Sequence, residues 1–249
     1  MAIEIRGAAV ALLDDPLLLS ARGADGAEPL LWRARLRDDD GRTWQTSAGS
    51  AEALASSWKP AKATTGPLAA LQSLRPVSLE VRVEAPDGRS AARALTRTLV
   101  GEDVRIRRWR EPALLATLHL PAGAPCATVV IVAPAEPAAA VAALAAPLLA
   151  SRGVLALVVP PQRDGSSAPE ALRLASERLA MVPGTAGLEP VVLHAVDPFA
   201  AAPRNDPDAS GIALPPGVAA RAEAADAADR AAVWDALLAR LGARPRTRI

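Results

Sequence analysis

Tyrosine is absent from this sequence, and the other aromatic residues are scarce, with one Phe and five Trp among 249 residues. An interior with so few rings must be filled by Leu, Val and Ala. Alanine lets elements approach closely but buries little area per residue, at roughly 25 cal/mol per Å² of apolar surface, so modest stability for the size is expected. A single cysteine, Cys126, excludes an internal disulfide and any cysteine-based metal cluster. The two histidines stand alone, with no His-Glu-x-x-His or paired-His spacing, so no metal site is expected. Lysine is nearly missing: Lys59 and Lys62 are the only two, and the arginines are spread along a chain of formal net charge +1. No basic block or basic-aromatic stripe is present, which argues against nucleic acid as a partner. The densest basic stretch, Arg105 to Arg110, reads as a solvated strand edge. Acidic and basic side chains near the start leave no apolar core for a signal peptide. The longest uncharged apolar run, Pro137 to Ala150, is too short for a membrane span. A cytoplasmic location is the resulting expectation.

What is present is abundant aliphatic character, at 51% hydrophobic residues, enough for one large domain or two ordinary ones. The first part, residues 1–112, reads as short alternating strands. In Leu30–Leu36, Trp32, Ala34 and Leu36 alternate with Arg33, Arg35 and Arg37, the period of a half-buried strand. Asp38-Asp39-Asp40-Gly41 is a hairpin turn, returning through Arg42–Thr46. Leu17–Arg22, Leu79–Glu84, Ala92–Leu99 and Val104–Arg107 read as further strands, and residues 51–75 as loop with a short helical piece near Leu68–Leu74. Such spacing predicts an all-β N-terminal domain, an antiparallel Ig-like β-sandwich.

From residue 113 to 249 the pattern changes. Leu114–Leu120 is a strand, and Thr128–Val132 and Val154–Val159 are continuous apolar runs, the mark of strands covered on both faces. Between the last two lies a helix, Ala138–Ser151, ended by Gly153. Strand, helix, strand in this span predicts a βαβ unit with parallel strands. Ser167-Ala168-Pro169-Glu170 is a capping box that starts a helix to about Met181. Pro190–Ala195 reads as another buried strand, 196–217 as a long loop, and Ala219–Leu241 as a final helix ended by Gly242.

Several segments, in order, resemble the acyl-CoA thioesterases and bile acid-CoA:amino acid N-acyltransferases. They are Asp14-Asp15-Pro16-Leu17, then Arg33 to Trp44 across the hairpin, and Leu95-Thr96-Arg97. Gly66 to Pro76 resembles the family's stretch ending in "WSM.P", and Ala116-Thr117-Leu118-His119-Leu120-Pro121 its "GTLFLP" segment. Asp226 to Leu241 loosely resembles the family's last helix. The resemblance implies a β-sandwich followed by an α/β-hydrolase domain, an acyl-CoA substrate class, and thioester hydrolysis or acyl transfer. Residues 113–249 are too few for a full hydrolase domain, so a reduced α/β-hydrolase-like parallel sheet is expected, with the family's central strands, including the nucleophile strand, deleted.

Acyl transfer from a thioester needs a nucleophile on a sharp strand-to-helix turn, a histidine to take its proton, and N–H donors facing the oxyanion. The glycine-flanked signature of that turn, G-x-S-x-G or G-x-C-x-G, occurs nowhere in the chain. Cys126 begins a strand and reads as a small buried or semi-buried residue. Ser166 and Ser167 read as a turn and helix cap, and Asp164 as a turn former. His119 and His194 both fall inside strands and read as structural. Where the family has a glycine-rich oxyanion loop, this chain has Pro134-Ala135-Glu136-Pro137, whose prolines lack N–H donors and whose Glu136 adds negative charge. No catalytic residue, cofactor or metal ligand is therefore assigned. The expected protein is thioesterase-like but inactive, with acyl-CoA or another small acyl ligand as its partner; the alternative is a non-catalytic ligand-binding or protein-interaction module on the same scaffold. The open edge of its parallel sheet is expected to be covered by the 196–217 loop, by the sandwich or by a second copy of the chain.

Overall fold

Alternation along the N-terminal strands becomes alternation in burial. The computed structural model describes residues 2–24, 29–39, 41–56, 59–61, 74–111, 114–133, 138–160, 168–195, 211–212 and 224–245. Two compact units emerge: Met1–Leu99 with Pro215–Ala232 and Arg246–Ile249, and Val100–Leu214 with Val233–Pro245. The first unit contains β1 (Glu4–Arg6), β2 (Val10–Leu12), β3 (Ser20–Arg22), β4 (Leu31–Arg37), β5 (Thr43–Ala48), a 3₁₀ turn at Glu52–Ser56, β6 (Lys59–Pro60), β7 (Val77–Glu84) and β8 (Ser90–Thr98). In β4, Trp32, Ala34 and Leu36 are buried while Leu31, Arg33, Arg35 and Arg37 face solvent. Val77, Leu79, Val81 and Val83 of β7 continue the same buried face.

Six strands form one sheet in the order β2-β8-β7-β4-β5-β6, and β1 and β3 form a separate two-stranded ribbon. The expected antiparallel pattern holds for four of the five pairings in the larger sheet. The exception is β2, which runs parallel to β8. It reaches that edge from a distant part of the chain, with no hairpin to impose an antiparallel course. The predicted strand Leu17–Arg22 shrinks to Ser20–Arg22, because Leu18 and Leu19 donate to carbonyls only two residues back, at 3.0 and 3.1 Å, and so turn rather than extend. The β4–β5 hairpin is as predicted. Gly41 takes φ +77°, and its N–H donates to the Asp38 carbonyl at 3.0 Å. The buried Asp38 carboxylate accepts the Arg42 N–H at 2.7 Å and the Trp44 indole N–H at 3.0 Å.

The second unit contains β9 (Arg105–Glu111), β10 (Leu114–Leu120), β11 (Ala127–Val132), α1 (Ala138–Ser151), β12 (Val154–Val159), α2 (Ala168–Ala180), β13 (Pro190–Ala195) and β14 (Gly211–Ile212). Helix α3 (Ala224–Arg240) follows. The sheet order is β14-β13-β11-β12-β10-β9. Strands β11, β12, β13 and β14 are parallel, and β10 is antiparallel to both of its neighbours. Of the stretch read as another strand of the N-terminal sheet, Val104–Arg107, the last three residues begin β9, which pairs along its length with β10. Val129, Val130 and Ile131 are fully buried, as a strand covered on both faces requires.

Helix α2 packs Ala171, Ala175 and Leu179 on Leu114, Ala116, Leu118, Val130, Leu155, Leu157 and Val159. Helix α1 lies against β12 and β10 and is buried around most of its circumference, through Ala142, Leu144, Ala145, Ala146, Leu148, Leu149 and Ala150. Gly153 ends it at φ +95°, and Gly242 follows α3 at φ +60°. The predicted loop 196–217 contains β14, whose two residues pair with His194 and Ala195. Those two residues add an edge strand beside the end of β13, and the rest of the expected loop lies outside the described residues. The helical piece expected near Leu68–Leu74 falls almost wholly outside the described residues.

Candidate functional site

From β11 the chain passes through α1 to β12 on one side, then through α2 to β13 on the other side of β11. Right-handed crossovers in opposite directions put the two helices on opposite faces of a sheet. Such a reversal of strand order opens a crevice at the carboxyl ends of the two diverging strands, where ligands of open α/β sheets bind. Here that switch point falls at the ends of β11 and β13, where Val132 is in register with His194. The end of β12 is beside it, Val132 being in register with Val159. The Ala133 N–H donates to the Val159 carbonyl at 3.1 Å, carrying the ladder one step past the strand.

His194 is the only sequence candidate whose backbone reaches this end of the sheet within the described residues. Asp164, Ser166, Ser167 and the Pro134–Pro137 segment lie outside those residues, as does the Val196–Phe199 loop.

His119 is elsewhere. It sits within β10, in register with Ala156 and Ile106, on the face opposite α2. The residue is 5% exposed, and its Nδ1 has no hydrogen-bond partner. Burial pushes its pKa down to about 4, so the ring is neutral at physiological pH. A neutral imidazole in mid-sheet agrees with a structural role.

Cys126 differs from its expected burial, for it is exposed. It precedes β11 at the amino end of the parallel strands, where Pro125 leads the chain in from a surface turn. Its thiol donates to the Gly153 carbonyl at 3.3 Å. That is the end of the sheet remote from the switch point. The Arg105–Arg110 stretch forms edge strand β9 with its arginines exposed, in keeping with a solvated strand edge. Among the described residues, no group of three or more His, Cys, Asp and Glu is placed to hold a metal ion. No helix among them is long and apolar enough to cross a membrane.

Two features escaped the sequence reading. Arg97 is 6% exposed in β8, and its Nη1 donates to the carbonyls of Leu12 at 3.2 Å and Asp15 at 3.4 Å. Burial lowers its pKa, while the charges of Asp15 and Asp14 oppose that shift. Its alternation with Leu95 was the available signal, since both lie on the buried face. The second is a cleft of about 360 Å³ over the β4–β5 pair, lined by Leu31, Arg33, Ala34, Arg35, Gln45, Thr46 and Ser47.

The sequence matches no protein-family model and no curated protein.

Proposed function

We propose that this chain is a non-catalytic relative of the acyl-CoA thioesterases, binding acyl-CoA or a similar acyl ligand at the crevice between β11 and β13 without turning it over. The observation that carries this reading is the strand order. Counted from β9, the second sheet runs 1-2-4-3-5-6, and β10, the second strand, alone is reversed. An α/β-hydrolase sheet has that arrangement, so the order supports the resemblance carried by the sequence segments. On this reading β13, fifth in the count, is the counterpart of the nucleophile strand. The strand itself is then retained rather than deleted, and what is missing is the chemistry at its end.

β13 leads through His194 and Ala195 into Val196, Asp197 and Pro198. A nucleophile elbow needs Ser or Cys between glycines, because the strand-to-helix bend brings backbones too close for side chains. This segment offers no hydroxyl, thiol or glycine, and Pro198 cannot donate an N–H. On this reading the segment has no hydroxyl or thiol to attack a thioester, and its one carboxylate, Asp197, lacks the flanking glycines of an elbow.

The test is release of free thiol from acyl-CoA by the purified chain, alongside titration of acyl-CoA against it. Binding with no release above background supports the proposal. Turnover that disappears in Ser167→Ala would overturn it.

A further inference from the structure

The open face of the N-terminal sheet carries a surplus of guanidinium groups around one cleft. We infer that this cleft, between β4 and β5, is a binding site for an oxyanion, the phosphate or carboxylate group of a small molecule. The inference is independent of the thioesterase reading, because it concerns a different unit and different residues.

Strand alternation places Arg33 and Arg35 on the solvent side of β4, two residues apart, and both line the cleft. Arg33 stands opposite Ser47 on β5, and Arg35 opposite Gln45. One wall thus offers two planar cationic forks, and the other an amide and a hydroxyl, all able to donate hydrogen bonds to oxygen.

The local acids do not neutralise these cations. Glu84 is shared between two of them, Arg33 at 3.4 Å and Arg82 at 3.0 Å. Glu80 lies in register with Arg35 on β7, yet no ion pair joins the two, and Arg35 has no ion-pair partner among the described residues. Some arginines close onto nearby acids, Arg89 on Asp87, Arg173 on Glu177 and Arg178 on Glu111, whereas Arg35 shares with the β9 arginines the lack of such a pair but, unlike them, lines a cleft. Arg35 is the guanidinium left available beside a second, half-shared one.

The cleft is within the size range of small-molecule sites. Leu31, on the same face two residues before Arg33, is 37% exposed. It gives the site an apolar end, so a ligand with an anionic head and a short apolar part fits better than a bare ion.

Titration of inorganic pyrophosphate, and separately of glutarate, into the whole chain tests this, followed by amide chemical shifts. Saturable binding is expected, weakened about tenfold or more by Arg35→Gln, the loss of one charge-assisted pair. Glu80→Gln should tighten binding, because it removes the opposing carboxylate at that register. The stronger of the two probes identifies a phosphate ester or a carboxylic acid as the source of the anion. Arg35 is exposed, so its substitution should leave the unfolding midpoint in place, which separates lost binding from lost fold. Shifts that never saturate, or saturable binding unchanged in Arg35→Gln, would overturn the inference.

Discussion

At the scale of single residues, the protein's polar side chains divide into those the fold satisfies and those it leaves under tension. Asp38 is satisfied: its buried carboxylate accepts two N–H groups of its own hairpin. His119 is not, with an unpartnered Nδ1 and a pKa held near 4 by burial alone. The folded state therefore binds the His119 proton more weakly than the unfolded chain, whose imidazole titrates near 6.5. Stability from this residue is fully present above pH 6.5 and falls as pH drops from there toward 4. The full effect is on the order of 3 kcal/mol. Urea unfolding of the parent chain and of His119→Leu, across pH 4 to 7, should show a shallower loss in the variant. Equal slopes for the two proteins would show that His119 does not carry the effect.

At the scale of elements, two-residue alternation and continuous aliphatic runs were legible because burial imposes them directly. Leu31–Arg37 could be read as a half-buried strand because its arginines fall on every second position. Thr128–Val132 could be read as doubly covered because it has no polar phase at all. What was not legible was partnership over long distances. Nothing in Arg105–Glu111 says that it pairs with Leu114–Leu120 rather than with the strands before it; the short connection between them decides that. The parallel course of β2 was likewise hidden, as was the arginine that anchors it.

Arg97 extends from β8 to the carbonyls at the end of β2 and in the Asp14-Asp15 turn. Removing it leaves the Leu12 and Asp15 carbonyls without their charged donor, which costs about 1.5–3 kcal/mol. Arg97→Leu should accordingly lower the unfolding free energy of the chain by about that amount. Backbone amides of Val10–Leu12 should also lose hydrogen-exchange protection. A variant as stable as the parent would mean that β2 is held by its ladder alone.

At the scale of the whole molecule, each unit is built around a six-stranded sheet of its own. In the first, a solvent-facing sheet surface gathers arginines that its own carboxylates only partly offset. In the second, the strand order reverses around β11 at the carboxyl ends of the parallel strands. The candidate residues at that end were legible only in part. The absence of a glycine-flanked nucleophile could be read from the sequence, but the position of β13 within the sheet could not. That position depends on which neighbour the strand chooses, and the apolar run Pro190–Ala195 would suit any interior place.

An inactive elbow leaves every side chain of the protein unacylated. Incubating the Cys126→Ser variant with an acyl-CoA and weighing the intact chain answers this directly, since that substitution removes the one exposed thiol that could react without catalysis. The mass should remain that of the unmodified polypeptide. A chain heavier by one acyl group, formed and then discharged as substrate is consumed, would contradict the account.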